Sequence, residues 1–123
     1  MSPSKFPNIR LILAATLAGV VLLPSASAAQ AQPSLSVAIV EDDPNQASTF
    51  RFDPGELTIK AGTSVTWANK GKQPHNAAAN DGAFDSGTMM PGASWQYRFD
   101  TPGDYAYTCT FHPQMTGMVQ VTP

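Results

Sequence analysis

One stretch near the carboxyl terminus decides how the rest of the chain is interpreted: Tyr107-Thr-Cys109-Thr-Phe-His112-Pro-Gln-Met115-Thr-Gly-Met118-Val-Gln-Val121. It holds the only cysteine of the protein, followed at intervals of three by a histidine and a methionine, Cys109-x-x-His112-x-x-Met115. The other of the two histidines, His75, lies upstream in Pro74-His75-Asn76. Thiolate, imidazole and thioether together make a soft-to-borderline metal-ligand set.

These four side chains match a particular kind of metal site. Two imidazoles and a thiolate around the ion, with a weak axial thioether, are the ligands of a blue-copper electron-transfer site. We therefore predict one type 1 copper ion, cycling between Cu(I) and Cu(II), with His75, Cys109, His112 and Met115 as its ligands. Met118 is the rival for the axial position, although packing at the start of the last strand is the role we predict for it.

Each candidate ligand has a plainer interpretation when taken alone. A lone cysteine is often a buried core residue, His112 could be a surface loop histidine, and His75 a turn histidine. Their joint spacing favours the metal site over these alternatives. Asn76 is either a side chain that ties the two ligand segments together or an ordinary turn residue.

Other residue groups give weaker signals. Met89, Met90, Pro91 and Pro113 are equally compatible with an apolar collar around His112 and with core filling, while Trp67 and Trp95 are predicted core residues. The segment Glu41-Asp-Asp-Pro-Asn45 is predicted to be a polar turn, and Asp42, Asp43 and Asp104 to be solvated turn positions. No paired-acid pattern is present, so we predict that the protein is not an enzyme.

The amino-terminal segment is typical of an export signal. Lys5 and Arg10 precede an uncharged apolar run, residues 11–23, which Pro24 and small residues follow. We predict a signal peptide over residues 1–28, cleaved after Ala28 or Ala31. The alternative, an uncleaved anchor, is disfavoured because a spanning helix needs about 20 apolar residues.

The predicted mature domain, residues 32–123, is a single unit. Losing two of the seven basic residues leaves five against nine acidic ones, a net charge of −4 with neutral histidines. Nucleic-acid binding requires clustered Lys and Arg residues, and the sequence has no such cluster. An unpaired cysteine in an exported protein indicates a free thiol, an intermolecular bridge or a special role, and metal ligation is such a role.

The pattern after residue 32 predicts an all-β domain. Short alternating runs are separated by turn signals every eight to twelve residues, and no amphipathic helix interrupts them, which is typical of a β-sandwich or barrel. The predicted strands cover residues 35–40, 50–52, 57–59, 64–67, 95–99, 105–109 and 118–121, and residues 77–85 are predicted to be mostly loop with room for one short strand.

In these motifs the chain resembles the cupredoxins, and within them the amicyanin/plastocyanin group. The resemblance covers residues 52–69, the first-ligand motif Pro74-His75-Asn76, residues 84–92 and the contracted loop Tyr107-x-Cys109-x-x-His112-Pro-x-Met115. It implies a Greek-key β-sandwich and the same four copper ligands. Met118 departs from the polar or aliphatic residue that many relatives have there.

The resemblance also implies a function: a small soluble periplasmic carrier of single electrons. It would act as a monomer without stable membrane insertion, and transient redox partners, a c-type cytochrome or a dehydrogenase, would dock near His112. A copper carrier or storage protein is the alternative function. Multicopper oxidases and copper nitrite reductases share the fold, but they need additional histidines that this sequence lacks, and a structural zinc site is a weaker possibility.

Overall fold

A computed structural model describes residues 18–25 and 34–123 of the chain. Both predicted signal-peptide cleavage positions, and the predicted start of the domain at residue 32, lie outside the described residues. Residues 18–25 have no regular secondary structure, and the side chains of residues 20–23 are exposed. Within the described ranges, no helix combines the length and the apolar character needed to cross a membrane.

The domain is built from eight strands and one short 3-10 helix. The helix covers Ala47–Thr49, and the strands are β1 Ser34–Glu41, β2 Phe50–Asp53, β3 Glu56–Lys60, β4 Thr63–Asn69, β5 Ala78–Ala79, β6 Ser94–Phe99, β7 Gly103–Cys109 and β8 His112–Thr122. Every predicted strand is present, and β5 is the short strand that the prediction allowed within residues 77–85.

Two four-stranded sheets pack face to face. Their strand orders are β2-β1-β4-β6 and β3-β8-β7-β5. The pairs β1–β4 and β3–β8 are parallel, whereas the other pairs are antiparallel. The predicted all-β sandwich is therefore confirmed, with each sheet joining strands that are distant in the sequence.

The core lies between the sheets and follows the period of two that a half-buried strand requires. Val37 and Ile39 of β1 face inward, as does Trp67 of β4, and all three are completely buried. Trp67 packs edge-on against Tyr107 of the opposite sheet, with ring centroids 5.5 Å apart. Trp67 is therefore a core residue, as predicted. Trp95 is partly buried and packs against the same cluster.

One glycine position is dictated by this core. The Tyr107 ring lies over Gly117 of the neighbouring strand β8, and a Cβ at that position would overlap the ring. The glycine therefore leaves room for the Tyr107 ring against the next strand. Tyr107 lies two residues before Cys109, which belongs to the same buried cluster, so packing of the Tyr107 ring helps to fix the entry to the ligand loop.

The turn from β7 to β8 is where the fold presents the predicted ligands. Cys109 is the last residue of β7 and pairs with His112, the first residue of β8. The prediction that the last strand begins at Met118 is wrong, because pairing with β7 starts at His112 around a two-residue turn. A register shift between Thr108 and Cys109 leaves residues 113–115 without partners on β7, and such bulges re-aim side chains.

Candidate metal centre

Three of the predicted ligands come together. The Sγ atom of Cys109 lies 3.7 Å from Nδ1 of His75 and 3.8 Å from Nδ1 of His112. All three donor atoms lie within 4.8 Å of one another. Cys109 and His75 are fully buried, whereas His112 is partly exposed. The site is therefore a compact donor cluster that reaches the surface at one imidazole.

His75 is held by its backbone as well as by its ring. Its N–H donates to the carbonyl of Met89 at 3.1 Å, and the N–H of Met89 donates back at 2.7 Å. This isolated bridge joins the first-ligand segment to the segment before β6. Met89 is itself buried, so it belongs to the core. The collar interpretation is therefore wrong for Met89.

Glu41 is the residue that the sequence interpretation missed. The sequence pattern predicts a polar turn from Glu41, but Glu41 is the last residue of β1 and its side chain is only 2% exposed. Its Oε1 atom lies 2.9 Å from Nε2 of His75 and accepts a hydrogen bond from the N–H of Gln73 at 2.8 Å. The alternation of β1 could have indicated this burial, because Glu41 has the same inward phase as Val37 and Ile39.

The charge state of Glu41 follows from these contacts. Burial raises the pKa of its carboxyl group, but the hydrogen bonds from His75 and from the backbone outweigh burial, so the pKa lies below the usual value of 4.5. A carboxylate is therefore the form expected at neutral pH. It is a buried anion in contact with a candidate ligand.

Asn76 joins the two ligand-bearing segments. Its Oδ1 atom accepts a 2.7 Å hydrogen bond from the backbone N–H of Thr110, and its Nδ2 donates to the Thr110 hydroxyl at 2.8 Å. The first segment carries His75 and the second follows Cys109 directly. The tying role predicted for Asn76 is confirmed over the plain turn role.

Met115 lies in the bulge between the two ladder segments and is 1% exposed. Met118 is partly buried in the body of β8, where it pairs with Ala106 and with Glu56. Only Met115 thus lies in the segment released from pairing. Pro113 contributes to that release because it has no N–H to donate to the ladder, and the Gln114 side chain anchors the bulge by donating to the carbonyl of Ala47 at 2.6 Å.

His112 has a different environment from His75. Burial lowers the pKa of its imidazole, the neighbouring His75 lowers it further, and Glu41 opposes both, leaving a pKa below 6.5. Phe50 lies edge-on to both imidazoles, with ring centroids 5.0 Å from His112 and 5.6 Å from His75. Two exposed apolar side chains, Phe111 and Met90, belong to the segments next to the ligands.

The donor set fits a copper ion. Ligand atoms about 2.0 and 2.3 Å from a first-row ion, roughly 120° apart around it, lie about 3.7 Å from each other. The Cys109–His75 and Cys109–His112 separations are 3.7 and 3.8 Å. One thiolate and two imidazoles are the ligands of the trigonal plane in blue-copper proteins. The two sulfur–nitrogen separations therefore match those expected around a copper ion.

Comparison with known proteins also indicates a copper-binding protein. Residues 39–122 match the family model described as copper binding proteins of the plastocyanin/azurin family. The chain is 32% identical to amicyanin from Paracoccus denitrificans over 110 residues, which cover 85% of this chain and 81% of that relative. It is 40% identical to chloroplastic plastocyanin from Tetradesmus obliquus over 79 residues, 55% of this chain and about half (54%) of that relative.

Solved structures also resemble the domain. A purple cupredoxin from Nitrosopumilus maritimus matches with a TM-score of 0.63 and 30% identity over 71% of this chain and 98% of that chain. A copper-containing nitrite reductase from Thermus scotoductus matches with a TM-score of 0.63 and 26% identity over 74% of this chain but only 22% of that chain. The second match shows that the same fold also occurs as one part of a larger enzyme.

Proposed function

Because the chain belongs to the plastocyanin/azurin family of copper-binding proteins, we propose that it carries single electrons between redox partners through one type 1 copper ion. The observation that carries this proposal is the buried Cys109–His75–His112 cluster, whose donor atoms lie within 4.8 Å of one another. A thiolate with two imidazoles favours rapid one-electron change over hydrolysis or structural binding.

We assign the ligand atoms as Nδ1 of His75, Sγ of Cys109, Nδ1 of His112 and the thioether sulfur of Met115. When bound, copper supplies the one-electron couple between Cu(II) and Cu(I). The protein supplies a frame that holds the ligands in one arrangement for both oxidation states. The Asn76–Thr110 hydrogen bonds and the His75–Met89 backbone bridge support this role, because they connect the segments that carry the ligands.

His112 is the proposed route for the electron. Of the three clustered donors it alone is partly exposed. Phe111 and Met90 are exposed at 49% and 57%, and an apolar surface of this kind suits a brief encounter. Weak redox complexes bury less than about 1,200 Å² in total, so a small docking face is sufficient. A c-type cytochrome or a dehydrogenase is the class of partner proposed, and the carrier would act as a monomer.

A redox enzyme is a weaker candidate. The whole sequence contains two histidines, and both are used in the cluster described above. A second copper site of the kind that needs further imidazoles therefore has no histidine available in this sequence. A copper carrier or storage protein is the alternative function, and its distinguishing property would be delivery of Cu(I) rather than reversible colour change.

A periplasmic location is part of the proposal. The apolar residues 20–23 are exposed and contribute nothing to the described core, as expected for a segment removed after export. Residues 1–28 would form the signal peptide, and residues 32–123 the mature domain. Amino-terminal sequencing of the exported protein tests this point, and a start at Ala29 or Gln32 is the expected result.

The deciding experiment is a visible spectrum of the mature protein after addition of Cu(II). We expect an intense thiolate-to-copper charge-transfer band that a mild reductant bleaches reversibly. Cys109→Ala should lose the band completely. A colourless protein that binds only Cu(I) would overturn electron transfer and favour the carrier function.

A matched pair of methionine variants tests the axial ligand in the same experiment. Met115→Leu should shift the visible and electron paramagnetic resonance spectra and raise the reduction potential, because it removes a soft donor. Met118→Leu makes the same chemical change in the body of β8 and should leave both spectra unchanged. The reverse pattern would assign the axial position to Met118.

A further inference from the structure

A buried carboxylate stands behind the first-ligand histidine and belongs to neither ligand segment. Glu41 is 34 residues upstream of His75, yet its Oε1 atom lies 2.9 Å from Nε2 of that ring. Both side chains are almost completely excluded from solvent, at 2% and 0% exposure. Such a contact between a buried anion and a metal-site imidazole has consequences for the ring and for the ion.

The fold brings Glu41 to this place by two devices. Val37, Ile39 and Glu41 share the inward phase of β1, so the strand that fills the core with its apolar residues directs its last side chain to the site. Gly71 provides the second device, because a Cβ at this position would overlap the Glu41 carboxyl group. Gly71 is not among the glycines with positive φ, so close approach, not backbone conformation, is what requires a glycine here.

The contact determines which nitrogen of His75 carries the proton. A carboxylate only accepts hydrogen bonds, and Oε1 already accepts the N–H of Gln73. The proton between Oε1 and the ring therefore resides on Nε2 of His75. In a neutral imidazole, which carries a single N–H, Nδ1 then has a free lone pair, and this is the nitrogen that faces Sγ of Cys109 at 3.7 Å.

The charge of Glu41 is not balanced by a basic side chain. Among the described residues, no lysine or arginine forms an ion pair with Glu41, and the ion pairs of Arg51 and Arg98 are made with aspartates instead. The second oxygen, Oε2, is buried with no hydrogen-bond partner in the described part of the chain. In a buried site a negative charge is poorly screened. It therefore stabilises the more positive oxidation state of a nearby ion.

We propose that Glu41 is a positioning residue that holds His75 in the Nε2–H tautomer and lowers the reduction potential of the copper site. The second part rests on the proposed electron-transfer function, whereas the first concerns the protein without metal. Through its hydrogen bond Glu41 makes the imidazole a stronger donor, as outer partners of metal-bound histidines do. Both effects favour Cu(II) over Cu(I).

Glu41→Gln separates the charge from the hydrogen bond. The amide oxygen can still accept from Nε2 of His75, so the ring stays in place while the negative charge is lost. We expect the preference for Cu(II) to fall about tenfold, a size typical of such outer partners, which corresponds to a rise of ~59 mV for a one-electron couple. The blue band should remain.

Glu56→Gln is the matched control. Glu41 and Glu56 are the only glutamates of the sequence, and Glu56 is exposed on β3, where it pairs with Met118 and is not part of the donor cluster. The control should change the Cu(II)/Cu(I) preference by less than about twofold. Equal shifts in the two variants would overturn the electrostatic part of the proposal, because burial and contact would then be irrelevant.

Gly71→Ala tests the same contact without touching the carboxylate chemistry. The new methyl group would displace the Glu41 carboxyl from His75, so the potential should rise in the same direction as in Glu41→Gln. An unchanged potential in a folded Gly71→Ala protein, together with an unchanged potential in Glu41→Gln, would overturn the proposal.

The tautomer is measured in the metal-free protein by nitrogen-15 NMR of the histidine rings. We expect a proton on Nε2 of His75 in the natural protein and in Glu41→Gln, and a mixture of tautomers in Glu41→Ala. A proton on Nδ1 in the natural protein would overturn the positioning role. This measurement needs no copper, so it distinguishes failure of the positioning role from failure of the proposed function, which the absence of a blue band would reveal.

Discussion

The two histidines of the cluster have the same side chain but differ in burial and in the contacts that hold the ring. His75 is completely buried, and its ring and backbone are held by Glu41 and Met89. His112 is partly exposed, and in the described structure the only polar contact of its ring is with the Cys109 sulfur. The imidazole of His75 is therefore part of the rigid framework, whereas the imidazole of His112 is part of the surface. A site built this way can stay rigid and still be reached from outside.

The largest difference is expected in the stability of the metal-free protein. His75→Gly should lower the free energy of unfolding by about 3 kcal/mol or more, because it opens a cavity and leaves the buried Glu41 without its partner. His112→Gly should cost about 1 kcal/mol or less, since only a partly exposed ring is removed. Urea denaturation of both variants measures the difference. Equal losses would show that the two settings are energetically alike.

Added imidazole sharpens the same comparison. After loading with Cu(II), free imidazole should restore the blue band of His112→Gly, because the missing ring leaves an opening at the surface. The same addition should fail for His75→Gly, whose ring position is closed to solvent. Rescue of both variants would contradict the framework role of His75.

A smaller effect is expected from the bond that joins the two ligand segments. Asn76→Ala should destabilise the metal-free protein by about 2 kcal/mol, because it breaks two partly buried hydrogen bonds to Thr110. Asn80→Ala is the matched control, since Asn80 makes an exposed 3.0 Å hydrogen bond with Thr108. Its cost should be about 0.5 kcal/mol or less, as chemical denaturation of both variants can determine. A similar cost for both would mean that Asn76 does not tie the segments.

The smallest effect is expected from pH. Burial and the neighbouring His75 hold the pKa of His112 below 6.5 in the folded metal-free protein, so the unfolded chain binds more protons in the range just below that value. The stabilising contribution is therefore complete above the unfolded pKa and is lost as the pH falls through 6.5 toward the folded pKa. Denaturation curves between pH 5 and 7.5 should show this loss, and His112→Asn should reduce it. An undiminished loss in the variant would assign the pH dependence to another group.

Much of the site was predictable because its signals are local. Cys109, His112 and Met115 are separated by fixed intervals in one short segment, and the scarcity of histidine identifies His75 as the remaining donor. The strands were predictable for the same reason, since alternation of apolar residues is a property of neighbouring positions. The start of β8 was placed too late because Pro113 and the bulge obscure the alternation before Met118.

The sequence by itself determined the strands, the donor types and the segment that carries three of them. Only the tertiary structure decided that the carboxylate of Glu41 lies against His75, that Asn76 bonds Thr110 and that Phe50 contacts both imidazoles. Each of these contacts joins residues at least 25 positions apart in the sequence. A sequence pattern records the period of one strand, whereas the partner across a sandwich depends on how two sheets are paired and packed.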